Sequence, residues 1–427
     1  MVVRHGRVVE CTQRLTATPD VDLGESVVLP GLVNAHTHLE FSGLRSPLPA
    51  GPNFPAWVSQ VVRYRRDVLE AAAATSGPTA ANGALREPLQ LGLQECFASG
   101  TAVVADILNR PWQIDCFPGS QALASGAAAA ANRRPQAGLA VAASDWRAHM
   151  GRVAFPRVVA IAEMLGLSPQ RLEESWQWAR GEVFPVGSPH ELLLVSGLSP
   201  HAPYSIHFPT LERLLSGLRR HTLLAMHLAE SSAELEWIAS QTGPFAEAFQ
   251  RLGVEATAPP PTISQCIALL ARQQRALLVH GNYLSAAEIA QVASAPGMSV
   301  VFCPRTHAHF GHAAYPLRAL QAAGVPVILG TDSRASNPDL SLWDEVVWVK
   351  QQFPELSGQQ LLEKVTTAPA RALGIEWEVG QLRPGHWAYA VIAPAQDHWT
   401  AENVLDELCQ LSARDLGLTP LSMIAGW

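Results

Sequence analysis

The chain has 427 residues, of which 48% are hydrophobic and 16% charged, with a formal net charge of −7. Such a length exceeds one small core and suits a barrel of roughly 250 to 400 residues with an accessory sheet, while the apolar content excludes extended disorder. No Lys/Arg-rich block offers a footprint for nucleic acid or an anionic membrane, so the expected partner is a small-molecule substrate.

The six cysteines, Cys11, Cys96, Cys116, Cys266, Cys303 and Cys409, are scattered and form no C-x-x-C pair. That pattern signals neither a disulfide framework nor a cysteine zinc site, and fits a reducing cytoplasm. The first residues lack the apolar stretch of a signal peptide, and no window approaches about 18 consecutive apolar residues. The expectation is a soluble cytoplasmic protein.

In chain order, eight β-branched or apolar runs alternate with helix-compatible segments, the pattern of a parallel α/β fold. They cover residues 31–38, 101–106, 157–164, 192–201, 223–227, 276–280, 299–303 and 325–332, with 137–143 competing for the third place. Most are nearly continuous in Val, Ile, Leu and Ala, as strands buried on both faces should be. Helices are expected over 57–74, 209–220, 232–238, 286–292 and 317–323, and the Ala-rich stretches 71–74 and 127–131 read as helix ends or loops. Residues 1–30 and 376–427 read differently, as short strands with Gly and Pro turns, including 379–385 and 388–392. These ends are expected to pair into one small β-unit beside a barrel spanning 31–375.

The first run ends in Asn34-Ala35-His36-Thr37-His38. Alternate strand residues share a face, so both imidazoles would enter the barrel mouth together. Alone, an H-x-H is a weak signal, equally read as two polar residues at a strand end. It strengthens because His201, His227, His280 and Asp332 also stand at run ends. Catalytic groups of a (β/α)8 enzyme come from the C-terminal ends of several strands. A single His after an apolar run, as in Leu223-Leu224-Ala225-Met226-His227, is more often a structural residue; five together favour a site.

A catalytic zinc takes three protein ligands, keeps a place for water, and lowers that water's pKa from about 15.7 to about 7. Hydrolysis then needs a proton acceptor and a proton carrier. Asp332 could hold the metal and accept the proton, and Glu230, three residues past His227, could carry it to the leaving nitrogen. The competing reading of Glu230 is a surface acid opening the next helix. Glu40 and Glu163, just beyond the first and third strands, are candidates to contact substrate or orient a ligand histidine, or simply to salt-bridge within the barrel.

Pro30-Gly31-Leu32-Val33-Asn34-Ala35-His36-Thr37-His38, His201-Ala202-Pro203-Tyr204-Ser205, His227-Leu228-Ala229-Glu230-Ser231 and Gly330-Thr331-Asp332-Ser333 together resemble the amidohydrolase superfamily. The branch resembled is that of triazine hydrolases, S-adenosylhomocysteine deaminases and guanine deaminases. The resemblance implies a (β/α)8 barrel binding one Zn2+ or Fe2+ through His36, His38, His227 and Asp332. It further implies Glu230 as proton shuttle, His280 as the histidine at the attacking water, and His201 as a substrate-binding histidine. His38-Leu39-Glu40-Phe41-Ser42 and Glu230-Ser231 through Glu234-Leu235-Glu236-Trp237 are similar to aminodeoxyfutalosine deaminases.

Two stretches depart from the family pattern. Residues 304–312 carry His307, His309 and His312, which reads as a solvated loop, with substrate contact or a second ion as alternatives. Gly385-His386-Trp387-Ala388-Tyr389-Ala390 lacks the Asp usual near the family's C-terminus. H-E-x-x-H, P-loop, G-x-G-x-x-G and G-x-S-x-G motifs are absent, and His38-Leu39-Glu40 lacks the P-C-x-x-C partner of the small zinc deaminases. The resulting expectation is a metal-dependent deaminase of a purine-like or nucleoside-like substrate. Hydrolysis of a cyclic amide or carbon–halogen bond is the alternative, and a non-catalytic scaffold the distant third. A homodimer would be unsurprising for such a barrel.

Overall fold

A computed structural model describes residues 1–12, 18–70, 78–110, 155–183 and 193–421. The chain opens with an antiparallel hairpin, β1 (Val2–Arg4) and β2 (Arg7–Glu10), followed by β3 (Ser26–Pro30). It then enters the barrel through β4 (Leu32–Thr37), β5 (Thr101–Leu108), β6 (Arg157–Met164), β7 (Leu193–Pro200) and β8 (Leu223–Leu228). The barrel continues with β9 (Ala276–His280), β10 (Met298–Phe302) and β11 (Val327–Leu329). These eight strands pair in sequence order, every neighbour parallel.

The seam between the first and last strands closes at the C-terminal end, where Asp332 N–H donates to the His36 carbonyl at 3.0 Å. Lower down, the segment after the last strand fills the gap: Val33 N–H donates to Val365 O at 2.7 Å and Leu329 N–H to Lys364 O at 3.1 Å. Gly330 permits this closeness, since a Cβ there would lie 2.9 Å from His36 Cβ. The result is a (β/α)8 barrel.

Alternation sorts the buried side chains into two shells. Val103, Ala105, Val159, Ile161, Ala225, Leu277, Val279 and Ile328 fill the lumen in one cluster. Val104, Val158, Ala160, Leu224, Met226, Leu278 and Val300 face outward in another, against helix residues such as Leu89, Leu172, Leu211 and Trp343. The histidines and acids of the site stand at the C-terminal strand ends, above this apolar lumen cluster.

The expected 157–164 strand is present, and its competitor, 137–143, lies outside the described residues, as do 71–74 and 127–131. Four expected helices appear as Phe208–Leu215, Ser232–Ser240, Ala286–Ala293 and Leu317–Ala322. The first helix runs Phe54–Tyr64, capped by the Asn53 side chain with Pro55 in its first turn, and continues as a π-turn over Arg65–Glu70. The 21-residue helix Pro78–Ala98, which contains Pro88, was not among the expected helices.

The chain ends do meet: β3 pairs antiparallel with β12 (Ala390–Pro394), which also pairs with β13 (Thr419–Pro420). Residues 379–385 form turns rather than the expected strand, with Gly380 and Gly385 both at positive φ. No described helix is long and apolar enough to cross a membrane.

Candidate active site

His36 is the penultimate residue of β4 and His38 follows the strand. One-residue slippage in the β4–β5 register between Asn34 and Thr37 marks a bulge, so that after Val33 and Ala35 the lumen-facing parity switches to His36 and His38. Such a re-aiming of side chains is common beside active sites, and alternation alone did not reveal it.

His227 Nε2 stands 3.2 Å from His38 Nε2 and 3.3 Å from His36 Nε2. Around one ion with bonds of about 2.0–2.1 Å, tetrahedral nitrogens lie about 3.3 Å apart. His227 Nδ1 meets the His201 carbonyl at 3.1 Å, a contact that requires Nδ1–H and leaves a lone pair on Nε2. That lone pair cannot accept from both neighbours at full strength, and the three nitrogens converge as a group that could hold a metal ion. Asp332 adds Oδ1 at 3.6 Å from His36 Nε2 and 3.9 Å from His38 Nε2. Its Oδ2 accepts from Ser336 Oγ at 2.9 Å, which fixes the carboxylate.

Electrostatics suit this donor set. Burial, aided by the neighbouring His36, pulls the His38 and His227 imidazoles well below their ordinary value, keeping them neutral. Burial alone would raise the Asp332 carboxyl, but hydrogen bonding and charge from His36, then from His280 and His38, hold it well below the usual range. Neutral imidazoles with an ionised carboxylate are the forms a divalent transition metal requires.

Glu230 and His280 flank this cluster, with Oε1 and Nε2 3.4 Å apart. Burial first, then the Asp332 and Glu234 carboxylates, push Glu230 well above the carboxylate range, so it keeps a proton. Burial pulls His280 down to about 3, against the opposing charge of Asp332. Ala229, His280 and Asp332 all have left-handed backbones, with φ of 52°, 70° and 59°. For non-glycine residues this costs roughly 1–3 kcal/mol each, and such strain concentrates at functional sites.

The remaining candidates form one wall. His201 follows β7, its Nδ1 2.7 Å from Ser205 Oγ and its Nε2 3.8 Å from Glu163 Oε1. Burial, then Arg65 and His36, pull its imidazole down to about 3. Glu163 lies within β6 and also accepts from Asn109 Nδ2. Glu40 sits on the turn Leu39–Phe41. The salt-bridging reading of both acids is realised in Arg65, whose guanidinium is 3.5 Å from Glu40 Oε2 and 3.7 Å from Glu163 Oε2. Beside His201, Tyr204 stacks on Phe245 at 4.3 Å, and Phe54 and Trp57 pack on Phe310 at 5.3 and 5.0 Å, giving an aromatic flank.

The 304–312 stretch corrects the expectation of a solvated loop. Pro304–His309 is a short helix, and His307 is buried beside the Phe302–Tyr315 pair, each ring centroid 5.7 Å away. The two aromatics stack on each other and meet its imidazole edgewise, while Ala308 and Gly311 remain exposed.

Arg65, Asn109, Glu234, Asn282 and Ser336 were not singled out from sequence. Arg65 lies on a helix whose register with the strands no local pattern discloses. Glu234 had one signal, its place in the stretch that resembles aminodeoxyfutalosine deaminases.

Residues 27–407 match the amidohydrolase family, and the chain belongs to it. Within this family of metal-dependent hydrolases, the chain is 28% identical over 364 residues to the aminodeoxyfutalosine deaminase of Deinococcus radiodurans, covering 82% of this chain and 74% of that one. It is 26% identical over 411 residues to the 5-methylthioadenosine/S-adenosylhomocysteine deaminase of Moorella thermoacetica, covering 92% and 79%. Its fold is similar to that of the Helicobacter pylori aminofutalosine deaminase in complex with methylthio-coformycin, with a TM-score of 0.66 at 22% identity over 91% of this chain and 84% of that one.

Proposed function

We propose that the protein is a hydrolytic deaminase using one divalent ion, Zn2+ or Fe2+, and acting on a purine-like or nucleoside-like substrate. The observation that carries this reading is the convergence of the His36, His38 and His227 imidazoles with the ionised Asp332 beside a protonated Glu230. The deaminase names of the relatives from Deinococcus and Moorella point to the same chemistry.

His36, His38 and His227 would hold the ion through Nε2, with Asp332 Oδ1. When bound, the ion supplies Lewis acidity, bringing the pKa of water to about 7. Asp332, the ionised acid of the site, takes the proton of the attacking water. Glu230, the protonated acid, gives its proton to the ring nitrogen next to the amino-bearing carbon. His280, neutral and 3.4 Å from Glu230, orients the oxygen that adds to that carbon. The proton taken by Asp332 then passes to the amino group, which leaves as ammonia while the hydroxyl proton of the adduct returns to Glu230, so water and the amine give an oxo product and NH3. His201, Glu163 and Glu40 orient the heterocycle and its substituent against the aromatic flank.

An ammonia-release screen over adenine nucleosides, guanine and aminodeoxyfutalosine tests the reading. Ammonia from one of these, absent in metal-stripped protein, is expected. A metal-loaded protein inert across the panel would overturn deamination and leave cyclic-amide or carbon–halogen hydrolysis.

A further inference from the structure

The two-residue segment that delivers Glu230 is held at all four of its backbone polar atoms. Ala229 N–H donates to Glu234 Oε1 at 3.1 Å, and Glu230 N–H donates to Glu234 Oε2 at 2.7 Å. The Ala229 carbonyl accepts from Tyr283 N–H at 3.0 Å, and the Glu230 carbonyl accepts from Asn282 Nδ2 at 2.9 Å. Asn282 and Tyr283 follow His280 and Gly281, both at positive φ, and Gly281 N–H donates to the Leu228 carbonyl at 3.0 Å. The turns after β8 and β9 are thus fastened to each other through the backbone beside Glu230.

Helix capping does not account for Glu234. Ser231 already caps the helix Ser232–Ser240, its Oγ accepting from Glu234 N–H at 3.2 Å. The Glu234 carboxylate, with 0% of the residue exposed, is an expensive group to bury. Two acceptor oxygens on one planar group match two successive N–H donors around the left-handed Ala229, a match that a neutral amide cannot supply because its NH2 would face a donor.

We propose that Glu234 and Asn282 form a two-sided clamp that positions the Glu230 carboxyl against His280 and the reacting carbon, which makes both of them positioning residues for the reaction. The inference rests on Glu230 carrying the proton. Misplacing a reacting group by about 1 Å costs about 100-fold in rate, so the clamp acts on kcat rather than on substrate or metal binding.

The test compares Glu234→Gln, Asn282→Ala and the double variant with wild type and Glu230→Gln, following kcat, KM, metal content and amide hydrogen exchange. In each clamp variant kcat falls by about 100-fold with KM and metal stoichiometry little changed, and exchange at the Ala229 and Glu230 amides accelerates. The double variant is no slower than the slower single one, since the two residues act as a unit. Wild-type kcat in either folded, metal-loaded clamp variant would overturn the clamp, as would activity lost only in proportion to metal. Activity retained in Glu230→Gln would instead sink the proton-carrier reading itself. If Glu234→Gln fails to fold, Asn282→Ala, which removes one bond from a neighbouring turn, decides the matter alone.

Discussion

The backbone N–H of Asp332 donates to the carbonyl of His36 at 3.0 Å, so the bond that closes the barrel joins two of the residues positioned to hold a metal. Fold closure and site assembly are therefore coupled, and both His36 and Asp332 are buried, at 1% and 5% exposure. Loading the site should stabilise the barrel. Thermal unfolding is expected to rise when metal is added to chelated protein, because a ligand that binds only the folded state adds RT ln(1 + [L]/Kd) to stability. His38→Ala, which removes a ligand without touching the closing bond, should abolish most of that rise; an unchanged metal-dependent shift would contradict the ligand set.

Replacement of the proton carrier has a separate signature. Glu230→Gln is expected to lower kcat by about 10² to 10⁴-fold while leaving metal content at the wild-type level. Its side chain stands beside the cluster, 3.4 Å from His280, and is not among the converging nitrogens. Loss of metal in this variant would place Glu230 among the ligands instead.

Arg65 offers a test of the wall opposite. It is the cation facing both Glu40 and Glu163, and Arg65→Met leaves two buried carboxylates without it. Breaking a buried pair by removing one partner costs about 3–5 kcal/mol; the contacts here are longer than hydrogen bonds, so a loss near the lower end is expected. Adding Glu163→Gln should return part of the stability, measured by denaturant unfolding. A double variant less stable than the single one would contradict the pairing.

Asp106 makes stability depend on pH. Its Oδ1 accepts from Leu39 N–H at 2.8 Å and Thr37 Oγ1 at 3.0 Å, while Oδ2 is buried with no partner. Burial pushes the carboxyl from 3.8 up to about 8. The folded chain thus keeps a proton that the unfolded chain releases in this window, so stability falls as pH rises from about 4 to about 8. Asp106→Asn keeps the Oδ1 acceptor and cannot ionise. Its Tm relative to wild type should increase with pH over that range, and a constant difference would refute the shift.

Much of the site was legible because it stands on strand ends. A histidine or aspartate closing an apolar run has a known direction, and five runs gave His36, His38, His201, His227, His280 and Asp332. What sequence could not show were relations across the barrel. Arg65 reaches Glu163 over 98 positions of chain, from a helix whose rotation is set by packing. The bulge after Asn34 changes which residues face inward, and appears only in the pairing with β5. His307 read as solvated; its burial follows from Phe302 and Tyr315, which stack at 3.6 Å and meet its ring edgewise.

The most direct test of the account is activity as a function of metal returned to chelated protein. Two candidate groups share His227: His36 with His38, and Glu163 with His201. If the first group holds the single catalytic ion, ammonia release rises linearly with added Zn2+ or Fe2+ and saturates at one equivalent per chain. Saturation at two equivalents, or full activity with none, would contradict the single-metal site.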